Sequence, residues 1–139
     1  MGMTQNVKML ALRLLGKFDE HISAQLLLLR YNKKTGWGPY FHWGGGPTGF
    51  TGLHVASFLG IVELVAGVLE MREWDVNITD CMGSTALIWA ARKEYEEVVK
   101  VLLEREDVNP NQADTVYGRT PLLCATQHGR EGVIKILLE

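Results

Sequence analysis

The chain has 139 residues, of which 47% are hydrophobic, so it is long and apolar enough to bury the core of one domain. Its 14 basic and 16 acidic residues give a formal net charge of −2, which predicts neither nucleic acid nor an anionic membrane as a partner. The longest apolar run near the start is Leu26 to Leu29, and no secretory signal pattern precedes it. With only two unclustered cysteines, Cys81 and Cys124, these features predict a cytoplasmic protein without a disulfide framework.

The first 36 residues predict two helical stretches. Residues 7–15 are apolar and interrupted by Lys and Arg, and residues 18–31 place Ile22, Leu26 and Leu29 at helical spacing. Gly16 lies between the two stretches. We interpret residues 1–36 as a degenerate helical unit that caps the repeats that follow it, with a polar outer face.

Residues 37–50 form a segment rich in glycine and aromatic residues. It contains Trp37, Tyr40, Phe41, Trp43 and Phe50, whereas a flexible linker is poor in aromatic residues. The aromatic side chains therefore either cover the junction between the first unit and the next one, or form part of a binding face. Phosphate binding is disfavoured because no Gly-Lys-Ser/Thr follows the glycines.

Three segments in the rest of the chain repeat one pattern. Their anchor residues are Thr51, Thr85 and Thr120, which are spaced by 34 and then 35 residues. A short apolar segment follows each threonine, which is a good helix N-cap. A second apolar stretch then follows in each unit, at residues 61–70, 96–104 and 131–139. Each unit therefore predicts a turn and two helices, and since no unit can bury its apolar stripe alone, the units must stack.

The repeated pattern resembles the ankyrin repeat, whose signature runs Asp-x-x-Gly-x-Thr-Pro-Leu-His-x-Ala-Ala-x-x-Gly. The resemblance covers about residues 48–139. It implies an all-α solenoid of helix-turn-helix repeats: one domain over residues 1–139, with three regular repeats in residues 51–139, the last of them truncated. The sequence departs from the signature where Gly52 and Ala86 replace Pro, Ile88 and Leu123 replace His, and Glu94 or Tyr95 stands in place of Gly.

Two segments of the sequence indicate which kind of ankyrin-repeat array the chain resembles. The segments at residues 102–109 and 117–122 are similar to arrays found in fungal multidomain proteins. In those proteins, such arrays often follow a nucleotide-binding NACHT module. The similarity implies that this chain acts as a repeat segment within a larger protein.

Nothing in the pattern of histidines and cysteines predicts chemistry. The sequence has no Cys-x-x-Cys, His-Glu-x-x-His or EF-hand motif, so we predict no metal and no cofactor. Cys124 aligns with Val55 and Trp89 of the other repeats, which predicts a packing residue. The resemblance implies that His54 bonds neighbouring turns. No acid, base and nucleophile can be brought together, so the chain is predicted not to be an enzyme.

The resemblance also implies where a partner binds. In ankyrin-like stacks, the turn tips and the short first helices line a concave surface. Carried over by position, the candidate partner-binding residues are Phe50, Phe58, Met82, Ser84, Arg92, Tyr117, Arg119 and His128. Tyr and Arg are frequent energetic anchors at interfaces, so we predict that a protein partner contacts Met82, Tyr117 and Arg119. The alternative is that these are ordinary solvent-exposed tips.

The predicted function is that of a protein-interaction module or scaffold. The alternatives are a structural spacer, or a regulatory repeat segment of a larger, NACHT-type multidomain protein. Because no polar unit follows the last apolar helix, we expect a monomer or weak self-association through that end.

Overall fold

The computed structural model describes residues 5–16, 51–70, 75–80 and 82–139, and the regular structure in these ranges is entirely helical. The described helices are α1 (Gln5–Gly16), α2 (Gly52–Leu59), α3 (Val62–Glu70), α4 (Ala86–Lys93), α5 (Glu96–Leu103), α6 (Pro121–Gln127) and α7 (Glu131–Leu138). Helices α2, α4 and α6 each follow a recurring threonine and are called the first helices. Helices α3, α5 and α7 complete the units and are called the second helices. The predicted repeat of two helices per unit is confirmed, with boundaries that agree within one residue for the second helices.

Side-chain caps explain why α4 and α6 begin directly after their threonines. Thr85 Oγ1 accepts a hydrogen bond from the Ile88 N–H at 3.2 Å, and Thr120 Oγ1 accepts one from the Leu123 N–H at the same distance. Each bond satisfies a backbone donor that the helix itself leaves unpaired. Pro121 occupies the first turn of α6, where its missing N–H removes no helical hydrogen bond.

His54 joins the first two repeats. Its Nδ1 accepts a hydrogen bond from the Thr51 N–H at 3.1 Å, and its Nε2 lies 3.0 Å from the Ser84 carbonyl oxygen. An accepting Nδ1 leaves Nε2 as the donor, so one fully buried imidazole caps its own helix and bonds the next turn. The structural role that the resemblance implies for His54 is confirmed.

The helices stack in two layers. First helices pack on first helices, second helices pack on second helices, and α1 packs against both α2 and α3. The core between the layers includes Val98, Val99 and Leu102, which are fully buried, whereas Leu103 of the same helix is only partly buried. On the outer surface of α5, Lys100 Nζ pairs with Glu97 Oε1 at 3.0 Å. The second layer thus presents a charged, solvated face.

Hydrogen bonds also connect the loops that follow the second helices. Asn77 Nδ2 donates to the Asp107 carbonyl oxygen at 2.7 Å, and Asn77 Oδ1 accepts a hydrogen bond from the Asn109 N–H at 2.6 Å. These contacts join equivalent loops of successive repeats. They extend the stacking beyond the apolar core and set the spacing of neighbouring units.

Parts of the predicted N-terminal unit lie outside the described residues. The predicted helix at residues 7–15 is present as α1. The predicted stretch at residues 18–31 and the aromatic segment at residues 37–50 are not among the described residues, so their interpretation remains a prediction. At the opposite end, Leu138 is 68% exposed and Leu123 is 42% exposed. Self-association through this end also remains a prediction.

Left-handed residues end the first helices. Gly60 and Gly129 have φ of 71° and 65°, and Glu94 has φ of 64° at the equivalent position of the second repeat. The signature glycine is therefore replaced by Glu94 rather than by Tyr95. The carboxylate of Glu94 lies 3.3 Å from Arg130 Nη1, so this strained residue makes an ion pair across the repeat boundary.

Replacing Glu94 separates the backbone strain from the ion pair. Both Glu94→Gly and Glu94→Ala remove the pair, but only glycine relieves the left-handed strain, so we expect the Gly variant to be the more stable by about 1 kcal/mol. Urea unfolding followed by far-UV circular dichroism measures the difference. Equal stability of the two variants would show that position 94 is not strained.

Candidate functional site

Asp80 organises the turn tip of the second repeat. Its Oδ1 accepts hydrogen bonds from the Met82 N–H and the Ser84 N–H, both at 2.9 Å. Its Oδ2 accepts a hydrogen bond from Trp89 Nε1 at 2.8 Å. A buried carboxylate therefore fixes both the backbone of the tip and the indole ring of the first helix behind it.

Asp114 has the same place in the third repeat but a different side-chain partner. Its Oδ1 accepts a hydrogen bond from the Tyr117 N–H at 2.7 Å, and its Oδ2 accepts one from Arg119 Nε at 3.1 Å. The two tips are linked because the Thr115 N–H donates to the Met82 carbonyl oxygen at 3.2 Å. The tips thus form one connected edge.

A narrow cleft of only about 10 Å³ lies between the two tips, and we call it the tip cleft. Met82 and Ser84 line it on one side, and Val116 and Arg119 line it on the other. The buried side chains of Trp89 and Arg92 also line the cleft and form its base.

Aromatic rings and cations contact one another around the cleft. The Phe58 and Trp89 rings meet edge to face, with centroids 5.5 Å apart, and the Arg92 guanidinium lies 4.9 Å from the Trp89 ring centroid. Lys93 Nζ lies 4.7 Å from the Phe58 ring centroid. At the third tip, the Arg119 guanidinium lies 4.3 Å from the ring centroid of Tyr117. Such cation–π contacts hold long side chains in defined positions.

Three of the predicted contact residues are corrected by this geometry. Phe58 is 9% exposed, Ser84 is 2% exposed and Arg92 is 4% exposed, so none of them is a surface residue of the kind expected. Phe58 and Arg92 are buried because both pack on the ring of Trp89, and the Ser84 backbone is bonded to Asp80 inside the turn. Their side chains therefore lie beneath the surface of the site.

The other predicted contact residues fall into three groups. Tyr117 is 61% exposed and Arg119 is partly buried, and these two lie together at the third tip, with the partly buried Met82 across the cleft. His128 is exposed, but its Nδ1 lies 2.8 Å from the Cys124 carbonyl oxygen at the far end of α6. Phe50 lies outside the described residues.

Trp89 is the residue whose role the sequence did not reveal. Its alignment with Val55 and Cys124 shows a large ring where the other repeats have small side chains. That difference in size is the available signal that this position contacts more than its own repeat. The ring is hydrogen-bonded to Asp80, contacts Phe58 edge to face and lies against Arg92, so it supports the whole cleft.

Cys124 behaves as the packing residue that its alignment predicts. Its side chain is fully buried, and burial raises the pKa of the thiol, although the nearby Arg92 opposes the rise. A neutral buried thiol is a poor nucleophile. Within the described ranges, no three His, Cys, Asp or Glu side chains are grouped as metal ligands. No helix in those ranges is both long and apolar enough to cross a bilayer.

The ionisation of Asp114 makes the third tip sensitive to acid. Burial by itself raises the pKa of this carboxyl, but hydrogen bonds from Tyr117 and Arg119 outweigh burial, so the pKa is lowered overall. Because the pKa is lower in the folded state, the ionised carboxyl stabilises the fold at pH values above about 3.9, the pKa of an aspartate in the unfolded chain. This stability is lost as the pH falls through the folded-state pKa.

We therefore expect Asp114→Asn to be less stable than the wild type at pH 7, with the difference shrinking below about pH 4. The measurement is the free energy of unfolding of both proteins in urea, at several pH values from about 2.5 to about 7. A difference that stays constant across this range would contradict the assigned hydrogen bonds.

Comparison with known proteins agrees with this architecture. The family model described as ankyrin repeats (3 copies) matches residues 9–114 and, in a second alignment, residues 53–139. A probable E3 ubiquitin-protein ligase of Oryza sativa subsp. japonica is 37% identical over 62% of this chain and 16% of its own length. Ankyrin repeat and SAM domain-containing protein 6 of Rattus norvegicus is 32% identical over 58% of the chain and 9% of that protein.

Inversin of Danio rerio is 38% identical over 43% of the chain and 6% of its own length. The chain thus spans only a small part of each of these relatives. The repeated capped helices, the bonded turns and the family match over residues 9–139 lead to one conclusion: the chain belongs to the ankyrin repeat family.

Proposed function

We propose that the chain binds a segment of a protein partner on the exposed side chains around the tip cleft. The observation that carries the proposal is the pairing of an exposed Tyr117 with Arg119 on one side of the cleft, opposite Met82. Tyrosine and arginine are over-represented among residues that dominate binding energy. Arg119 is held by Asp114 and Tyr117, so little conformational entropy is lost when it is contacted.

Ankyrin repeats are generic protein-interaction modules, which agrees with this proposal. The chain is also proposed to have no catalytic role, since the site consists of packing and hydrogen-bonding groups. A cytoplasmic location is retained as part of the proposal, on the basis of the two unclustered cysteines.

Peptide selection tests the proposal. Random peptides displayed on phage are selected on the wild-type chain, and the affinity of the enriched peptides is measured by fluorescence anisotropy. We expect Met82→Ala/Tyr117→Ala/Arg119→Ala to weaken binding by at least about tenfold, since truncating one interface anchor alone costs about 2 kcal/mol. Circular dichroism checks that the variant remains folded.

The matched control places three alanines on the exposed surface of the second helices, as Glu63→Ala/Glu131→Ala/Lys135→Ala. This control is expected to leave binding unchanged. The proposal fails if no peptides are enriched, or if both triple variants bind the enriched peptides as tightly as the wild type does.

A second candidate function is that of a spacer or regulatory repeat segment in a larger, NACHT-type multidomain protein. The small share of each relative that the chain matches favours a segment of a larger protein, because in those relatives the matched region is only part of a longer chain. The reading frame around this segment tests it. A frame that encodes further domains would support it, whereas a frame that encodes the 139 residues alone would exclude it.

A further inference from the structure

The outer face of the third repeat carries apolar side chains at positions that the other repeats bury. Leu123 stands at the repeat position of His54 and Ile88, which are both fully buried, yet Leu123 is 42% exposed. In the second helices, Ile134 stands at the position of the fully buried Val99 but is itself only partly buried. In the first two repeats the next unit covers these positions, because equivalent helices pack on each other. We call this surface the tail face; its apolar side chains are Leu123, Ile134 and Leu137.

The turn of the third repeat is open in the same way. Gly83 of the second repeat lies so close to Thr115 of the next tip that a Cβ at position 83 would be only 2.5 Å from the Thr115 backbone nitrogen. Gly118 has the equivalent place in the third repeat, and a Cβ there would meet no atom of the described residues within 4 Å. The tail face therefore continues an interface that is already formed twice inside the chain, along both the helices and the turns.

Helix α1, at the opposite end of the stack, also exposes apolar side chains. It packs against α2 and α3 and leaves a stripe of exposed residues at helical spacing, which we call the head face. Within this stripe, Met9 is 56% exposed and Leu10 is 60% exposed. The outer face of this unit, which the sequence predicts to be polar, thus presents two neighbouring apolar side chains. The head face consists of Gln5, Asn6, Met9, Leu10 and Arg13.

The two faces are complementary in charge. Helix α1 contains Lys8 and Arg13 and no acidic residue, so the helix that carries the head face is positive. Helix α7 contains Glu131 and Lys135 and is followed by Glu139, and all three side chains are exposed, so this side of the tail face is negative. A contact between a head and a tail joins opposite charges, whereas a contact between two heads or two tails joins like charges.

We propose that copies of this chain associate head to tail, with Met9 and Leu10 of one copy packed on Leu123 and Ile134 of the next. The contact continues the stacking inside the chain, in which each unit covers the outer face of the unit before it. Because the two surfaces differ, every added copy presents a new tail face, and the assembly can grow beyond a dimer. This inference is independent of the proposed function, since the contact does not use the tip cleft.

Sedimentation equilibrium tests the proposal with three variants that each place a glutamate at an exposed leucine. Leu10→Glu alters the head face, Leu123→Glu alters the tail face, and Leu59→Glu is the control on α2, where Leu59 is 40% exposed. We expect the average mass of the wild type and of Leu59→Glu to rise with concentration past twice the monomer mass. We expect the other two variants to associate at least about tenfold more weakly, because the contact would bury an unpaired carboxylate. Circular dichroism checks that all variants are folded.

A mixing experiment tests the direction of the contact. Leu10→Glu retains an intact tail face, and Leu123→Glu retains an intact head face. An equimolar mixture of the two should therefore form dimers and grow no further, although each variant alone stays mainly monomeric. Labelling one variant with a fluorophore makes the mixed dimer visible in the same centrifuge. Raising the salt concentration should weaken this dimer, because the charges of the two faces are then screened.

Several results would overturn the inference. A wild type that remains monomeric at every concentration would show that the two faces do not bind each other. Self-association that persists in Leu10→Glu would assign the contact to two tails, and persistence in Leu123→Glu would assign it to two heads. An equal loss in Leu59→Glu would show that added negative charge, rather than either face, controls the association. Each of these outcomes leaves the peptide selection at the tip cleft unaffected.

Discussion

Gly83→Ala is expected to destabilise the chain by about 3 kcal/mol, whereas Gly118→Ala at the equivalent position of the next repeat is expected to destabilise it by about 1 kcal/mol. Both glycines have positive φ, 70° and 63°, so both variants carry the left-handed strain of a residue with a Cβ atom. The two sites differ in their surroundings. A Cβ at position 83 would lie 2.5 Å from the backbone nitrogen of Thr115, whereas a Cβ at position 118 would meet nothing within 4 Å.

The difference arises because the second tip is covered by the third. The Thr115 N–H donates to the Met82 carbonyl oxygen, so a methyl group at position 83 pushes directly on the backbone that joins the two tips. Urea unfolding followed by far-UV circular dichroism measures both variants against the wild type. Similar destabilisation by the two substitutions would show that the tips are not in close contact.

Asp80→Ala is the second substitution with a large expected effect. We expect it to lower the free energy of unfolding by about 3 kcal/mol. It removes the acceptor of three hydrogen bonds at once, from the Met82 N–H, the Ser84 N–H and Trp89 Nε1. A buried donor without an acceptor is destabilising because its hydration has been lost and nothing replaces it. The expected loss of stability is smaller than the cost of leaving three fully buried donors without an acceptor, because the Met82 N–H is only partly buried.

The control for Asp80→Ala is the same substitution at Asp75, an exposed residue whose side chain accepts a hydrogen bond from the Asn77 N–H. Asp75→Ala is expected to change stability by less than about 1 kcal/mol. Trp89→Phe isolates the indole contact, and the double variant Asp80→Ala/Trp89→Phe should be less destabilised than the sum of the single variants by about 1 kcal/mol. Strict additivity would refute the bond between Asp80 and Trp89.

The candidate site could be predicted from the sequence only in part. The repeat position of Tyr117 and Arg119 predicts that both lie at the third tip, where Tyr117 is exposed and Arg119 is partly buried. Phe58, Ser84 and Arg92 were placed on the same surface by the same reasoning, and they are buried. Repeat position specifies where the backbone of a residue lies, but the burial of its side chain depends on what the neighbouring repeats place against it.

The sequence by itself determined the architecture of this protein. Threonines spaced by 34 and 35 residues, each followed by two apolar stretches, specify pairs of short helices, because N-capping and helical periodicity act within a few residues of the chain. Only the tertiary structure decided which residues form the cleft. Trp89 of one repeat packs on Phe58 of the repeat before it, and Thr115 bonds to Met82, so the site is made by contacts between units. Such contacts depend on the size and direction of side chains from two repeats at once, and a pattern within one repeat does not contain that information.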